Sequence, residues 1–341
     1  MAEAAAARAA SLECWGTLGQ VTLASTADAA VSAELELGSG RTNQNFIATA
    51  VQPQDGDHDA PRRFFVRIGS DIPAYGVTRL KEQAAGRAAA AAGIAPQVLF
   101  TADDAMVTEF ATGRTLTGAQ LKEACAAGAG SELLSEVVDA VRKLHATPPP
   151  PELNAAAGDG NPDSRWAPRD MWRWLALAEE KGYSRLPVVE EARSLVASLE
   201  AVAGEPSDDC FCHYDLLPDN LIRQPGGGAV SVIDFEYAGC GQRLMDLAIM
   251  SMGCALAPEE EANLLTAYTG APPAAEMLRG FAALKVLACL RETLWGVTAE
   301  VSGASALPAS EAIAYADENF EKLKTFRAAF EQAEAESKAR Q

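Results

Sequence analysis

His213-Tyr214-Asp215-Leu216-Leu217-Pro218-Asp219-Asn220, then the apolar run Val230-Ser231-Val232-Ile233 and its continuation Asp234-Phe235-Glu236, is the stretch that decides how this chain is read. An aspartate, an asparagine after four intervening residues, and a second aspartate closing a short strand supply three things. One carboxylate can accept a proton from a hydroxyl, and two oxygen ligands can hold a divalent cation on nucleotide phosphates. The pattern points to phosphoryl transfer from ATP with Mg²⁺. In that scheme Asp215 orients and deprotonates the acceptor hydroxyl, Asn220 and Asp234 coordinate the metal, and His213 buttresses the loop. Each residue alone is an ordinary turn former, and Asp219 reads as a turn or cap; the spacing of the set carries the reading.

Upstream, about Val31 to Ile68 reads as strands and turns: the Glu34-Leu35-Glu36-Leu37 run, a Gly38-Ser39-Gly40 turn, Asn45 to Ala48, and Phe64 to Ile68. The segment Gly38-Ser39-Gly40-Arg41-Thr42-Asn43-Gln44-Asn45 joins two strands and can lay backbone N–H groups against phosphates, though alone it reads equally well as a hairpin turn. Gly76 to Ala92 is rich in helix formers and stops at Gly93 and Pro96. Arg67, at the end of a strand, and Glu82, in that helix, have the arrangement of a strand cation paired with a helix carboxylate beside phosphates. A planar guanidinium serves both partners. Val98 to Phe100 and Met106 to Phe110 complete a small antiparallel sheet.

After a linker near Glu109 to Thr115 the chain becomes mainly helical, with a helix over Leu133 to Leu144, a Gly/Pro/Asn/Asp-rich loop at 151–165, and short strands at 210–213, 220–223 and 229–234. The expected class is α+β, two-lobed and protein-kinase-like. A nucleotide-binding lobe spans residues 1–112, with a small antiparallel sheet and a hinge near 108–112. A larger, mostly helical catalytic and substrate-binding lobe spans residues 113–341.

The chain has 341 residues and a formal charge of −19, which disfavours nucleic acid or an anionic membrane surface as a partner and suits a cationic substrate. Seven cysteines without a CxxC pair read as reduced thiols; Cys210 and Cys212 fit alternating strand positions better than a zinc site. No stretch offers the ~20 uninterrupted apolar residues of a membrane span, so a cytoplasmic protein is expected. A homodimer is left open. Among the aromatic residues Tyr237, Trp295, Trp166, Trp172 and Trp174, core packing accounts for most, but rings converging beside Asp215 would cradle a quaternary ammonium.

The chain resembles the choline/ethanolamine kinase family, within the wider group that includes aminoglycoside phosphotransferases, over roughly residues 35–325. The resemblance rests on GSGRTNQNF, on FVRI followed by Glu82, on CHYDLLPDN, on VIDFEYAG with Asp246 twelve residues after Asp234, and on RETLWG followed by YADENF. It implies Asp215 as catalytic base, Asn220 and Asp234 as Mg²⁺ ligands, and Arg67 with Glu82 as the phosphate-facing pair. It further implies the loop containing Gly38, Ser39, Gly40, Thr42, Asn43 and Asn45 over the nucleotide, and a backbone hinge at Thr108 to Phe110, Glu109 included, for adenine. The acceptor pocket it implies lies near Glu236, Tyr237 and Trp295, with Glu236 and Glu292 supplying negative charge to a cationic amino alcohol such as choline or ethanolamine. Choline kinases carry glutamate where this chain has Gly253, and a second tryptophan where it has Glu292. Other readings are a kinase of thiamine or an aminoglycoside, and a non-catalytic pseudokinase that serves as an interaction module. A protein kinase is disfavoured because Asp234-Phe235-Glu236 is not Asp-Phe-Gly and no Ala-Pro-Glu segment follows.

Overall fold

The computed structural model describes residues 2–18, 21–26, 43–50, 62–154, 169–204, 210–304 and 307–339. The Glu34 to Leu37 run, Gly38 to Thr42 and Trp166 lie outside them, as does all but the start of the 151–165 loop. Helix α1 (Ala2–Ala10) packs on a five-stranded antiparallel sheet of β1 (Val21–Ser25), β2 (Gln44–Ala50), β3 (Arg63–Ile68), β4 (Val98–Ala102) and β5 (Ala105–Glu109), ordered β1-β2-β3-β5-β4. β1 precedes the region that reads as strand in the sequence; its pairing with β2, from Val21 opposite Ala50 to Ser25 opposite Phe46, extends the sheet by one edge.

The two-residue period of a strand divides β3 between two tasks. Phe64, Val66 and Ile68 join Ala5 and Ala9 of α1, and Leu12 just after it, in a small core. Phe65 and Arg67 consequently face the opposite side, where both line a cavity.

The helix expected over 76–92 is observed as α2 (Arg79–Ala91). It starts later because Pro73 to Tyr75 form a 3₁₀ turn closed by Gly76 at φ +73°, after which the chain runs extended through Thr78. Ala85 and Ala89 of α2 belong to the larger core, with the helical part of the molecule, and the Ile94 carbonyl beyond α2 accepts the Val232 N–H at 2.8 Å.

The helical part comprises α3 (Gly118–Ala127), α4 (Glu132–Ala146), α5 (Arg169–Glu180), α6 (Val188–Ala203), α7 (Arg243–Cys254), α8 (Pro258–Thr269), α9 (Ala275–Ser302) and α10 (Ala309–Ala339). Residues 151–154, expected as loop, make one helical turn. Two small antiparallel sheets sit among these helices: β6 (Arg114–Thr115), β8 (Leu221–Arg223) and β9 (Val230–Val232) in one, β7 (Cys210–Cys212) and β10 (Gly239–Gly241) in the other. The β10 pairing was not legible in the sequence. Among the described residues no helix is long and apolar enough to cross a membrane.

α9 is the axis of the helical part. From Phe281 to Ala299 nearly every residue is buried, the charged Lys285, Arg291 and Glu292 included, and α5, α6, α7 and α10 pack around it. Its crossing with α10 is set by Gly296: a Cβ there would lie 2.8 Å from the Ala316 backbone. Replacing Gly296 with valine should push the helices apart and lower unfolding free energy by about 1–3 kcal/mol, the usual scale of overpacking. Chemical denaturation of the variant checks this, and an unchanged midpoint would mean that the crossing relaxes without cost.

Candidate active site

The loop between β7 and β8 is held from below by Asp246, in the first turn of α7. Its fully buried carboxylate accepts the backbone N–H of His213 at 2.8 Å and of Tyr214 at 2.7 Å, and meets His145 Nε2 at 3.0 Å. Burial alone would raise its pKa, but the hydrogen bond and charge of His145 hold it below the usual carboxylate range. The same contact fixes Tyr214 at φ +59°, a left-handed conformation unusual for a residue with a side chain.

His213 is buried, which lowers its pKa and keeps the ring neutral. Its Nε2 lies 2.9 Å from the Ile233 carbonyl, which only accepts, so Nε2 carries the proton. Nδ1 then accepts the Asp215 N–H at 3.2 Å. One ring thereby ties the segment bearing Asp215 to the segment bearing Asp234.

Asn220 donates through Nδ2 to the Asp215 carbonyl at 2.7 Å and to Asp215 Oδ2 at 3.1 Å, and its own carbonyl accepts the Ile233 N–H at 3.0 Å. Burial, followed by the neighbouring Glu292 charge, raises the Asp215 pKa well above the ordinary carboxylate value. Asp234, at φ +67°, accepts a hydrogen bond through Oδ1 from Arg67 Nη1 at 2.8 Å. Burial would raise its pKa, yet the Arg67 guanidinium outweighs burial and lowers it. Asn220 Oδ1 and Asp234 Oδ2 have no hydrogen-bond donor among the described residues. Two hard oxygen donors on adjacent segments fit a small divalent cation such as Mg²⁺.

Arg67 and Glu82 do form the expected pair, deep inside the protein rather than at its surface: the two residues are 5% and 1% exposed. Glu82 binds Arg67 with one oxygen and Arg79 with the other. Arg79 was not singled out in the sequence, although its position three residues before Glu82 on a helix was the available signal. Glu236 closes the cluster, 3.8 Å from Arg67 and 3.9 Å from Arg79, and accepts a hydrogen bond from Asn43 Nδ2 at 3.0 Å. Burial and the nearby Asp234 charge push its pKa up to about 7.

A cavity of about 460 Å³ connects these groups, lined by Asn45, Phe65, Arg67, Glu82, Met106 and Thr108 to Ala111 on one side and by Asp215, Asn220, Asp234, Glu236, Tyr237, Arg291, Glu292, Trp295 and Tyr315 on the other. Glu109 itself is exposed at the end of β5. Gly38, Ser39, Gly40 and Thr42 lie outside the described residues; Asn45, in β2, lines the cavity, while Asn43, just before β2, reaches Glu236.

Around Trp295 the aromatic residues do converge. Its Nε1 donates to the Tyr237 hydroxyl at 2.8 Å, its ring stacks on Tyr75 with centroids 5.3 Å apart, and it meets Tyr315 edge-on at 5.0 Å. Trp174 joins through Tyr75 and Tyr237, whereas Trp172 packs under Arg193. The expectation that Glu292 offers an open negative charge needs correction, because both its oxygens are engaged. Oε1 accepts from Arg291 Nη1 and Oε2 from the Tyr315 hydroxyl, each at 2.6 Å. A Cβ at Gly253 would approach Leu217 Cδ2 to 2.7 Å, so a side chain there requires Leu217 to shift.

Cys210 and Cys212 are buried strand residues, as expected, and the structure adds His145 within 4.8 Å of both. Both His145 ring nitrogens are already engaged, by Tyr268 at 2.7 Å and by Asp246, so the trio reads as packing.

With this geometry in hand, residues 35–281 match the model of the phosphotransferase enzyme family. Among curated proteins, 58 residues are 41% identical to the probable ethanolamine kinase B of Dictyostelium discoideum, a match over 17% of this chain and 13% of that protein. Similar solved structures include a choline/ethanolamine kinase family protein from Mesorhizobium loti, at 23% identity and TM-score 0.64, covering 96% of this chain and 95% of that one. An ethanolamine kinase from Plasmodium vivax aligns at 17% identity and TM-score 0.68, covering 90% of this chain and 84% of that one. The solved structures share the two-lobed kinase-like fold, and the family model covers most of the sequence, cavity-lining loops included: the chain belongs to the phosphotransferase enzyme family.

Proposed function

We propose that the protein transfers the γ-phosphoryl group of ATP to the hydroxyl of a small cationic amino alcohol, for which choline and ethanolamine are the first candidates. The observation that carries this reading is the joining of Asp215, Asn220 and Asp234 around one cavity through the His213 ring and the Asn220 amide. The names of the structural relatives support the acceptor class.

In this mechanism the acceptor O–H gives its proton to the Asp215 carboxylate as its oxygen attacks the γ-phosphorus, and the bond to the β,γ-bridging oxygen breaks to release ADP. Asn220 and Asp234 would hold Mg²⁺, which neutralises phosphate charge when bound. Arg67, oriented by Glu82, faces the phosphates, and Asn45 lines the same cavity. The backbone near Glu109, at the 108–112 hinge between lobes 1–112 and 113–341, receives the adenine. Glu236, Tyr237, Glu292 and Trp295 surround the acceptor. Dependence on ATP suits a cytoplasmic setting.

ADP release from Mg²⁺-ATP should be stimulated by choline or ethanolamine in a panel that also holds thiamine and an aminoglycoside; stimulation by one of the last two alone would move the acceptor class. Asp215→Asn should lower turnover by ~10²–10⁴ while ATP binding persists, as for loss of a general base; full activity would remove Asp215 from that role. Asp234→Ala should raise the Mg²⁺ concentration needed for half-maximal rate, read from a metal titration, and an unaltered requirement would refute the ligand assignment. Because protonation removes the base, kcat/KM should fall as pH falls. Burial raises the Asp215 pKa, so that acid limb belongs above the ordinary aspartate value of ~3.9 in a pH–rate profile.

A further inference from the structure

The RETLWG run carries no assigned role for Arg291, one of several charged residues in α9. In the structure it is 1% exposed and lines the acceptor side of the cavity with Asp215, Tyr237 and Trp295. Its guanidinium carbon sits 5.2 Å from the centre of the Trp174 ring and 5.0 Å from that of Tyr237. Nη1 donates to Glu292; Nε and Nη2 are buried and have no hydrogen-bond partner among the described residues.

Three features of this arrangement bear on the acceptor. First, the guanidinium covers ring faces on which a trimethylammonium group would otherwise rest. Second, a buried charged donor left without a partner is costly, and such groups in native structures are usually completed by a ligand or water. Third, Nε and Nη2 form one edge of the guanidinium plane, and two parallel N–H groups along such an edge match the two oxygens of a carboxylate. The carboxylates acting on Arg291 from its surroundings are Glu292, Asp215 and Asp170. Glu292 already takes Nη1, and neither Asp215 nor Asp170 hydrogen-bonds the free edge.

We propose that Arg291 is a specificity-determining residue whose Nε and Nη2 hold a carboxylate on the acceptor, so that the preferred acceptor is a hydroxylated zwitterion bearing amino and carboxylate groups. The inference rests on the kinase reading of the cavity and replaces its cationic amino alcohol with a zwitterionic one, choline and ethanolamine then being the poorer acceptors. The ammonium faces the surrounding carboxylates while the acceptor's own carboxylate completes Arg291.

Two matched pairs test it on the full chain with Mg²⁺-ATP: ethanolamine against serine, and 3-aminopropanol against homoserine. Members of a pair differ only by the carboxylate. The expected result is a kcat/KM higher for the carboxylated member of at least one pair by on the order of 10²-fold or more, since a buried polar group left unpaired discriminates strongly. In Arg291→Met that ratio should collapse through a raised KM for the carboxylated member, whereas a merely structural residue would depress both members alike. Should the variant fail to fold, the wild-type ratio decides alone. Turnover of ethanolamine, 3-aminopropanol or choline at or above that of the carboxylated acceptors overturns this inference and leaves the kinase reading standing. No ADP release with any acceptor overturns both.

Discussion

The Asp246 carboxylate is the contact on which the rest of the site depends. It receives two consecutive backbone N–H groups, from His213 and Tyr214, and a side-chain contact from His145 of α4. A non-glycine residue in the left-handed region costs on the order of 1–3 kcal/mol, and it persists only where its surroundings over-determine it. Asp246 supplies that constraint for Tyr214 and so sets the direction in which the chain presents Asp215. Through the His213 ring the same constraint reaches Ile233 and therefore Asp234, so that one buried carboxylate on α7 positions groups from two loops.

Charge in the cleft is arranged as a set of partly satisfied pairs. Arg67 lies between Glu82 and Asp234, Arg79 shares Glu82, and Arg291 shares Glu292 with Tyr315. Where an arginine is close, as at Asp234, it overcomes burial and the carboxyl stays ionised; where burial and like charge dominate, as at Asp215 and Glu236, the proton is held more tightly. The formal charge of −19 therefore says little about the site. It suggested a pocket for a cation, whereas the groups inside the pocket include a buried guanidinium with an open edge.

Much of the fold was legible because its signals are local. The alternation of Phe64, Phe65, Val66 and Arg67 gives a strand with one apolar face, and the alanine-rich run ending at Gly93 gives a helix. The start of α2 was misplaced by three residues because the 3₁₀ turn at Pro73 to Tyr75 and the Ile72–Val77 bridge consume residues that are compatible with helix. β1 and β10 escaped notice because short strands are defined by their partners, Ala50 to Phe46 for one and Cys212 to Cys210 for the other.

The sequence by itself determined which residues can meet here: the spacing of Asp215, Asn220 and Asp234 is a local property of one loop and one short hairpin, although Asp246 of α7 is needed to hold that loop. It also determined the Arg67–Glu82 pair, because a strand followed by a helix has few ways to pack. What only the tertiary structure decided is the aromatic side of the cavity. Tyr75, Trp174, Tyr237, Arg291, Trp295 and Tyr315 come from separate elements, and their meeting depends on how α5, α9 and α10 pack, including the close passage at Gly296. Whether Glu292 offers a charge or spends it on Arg291 is likewise a matter of side-chain direction within that packing, to which residue spacing along the chain is blind.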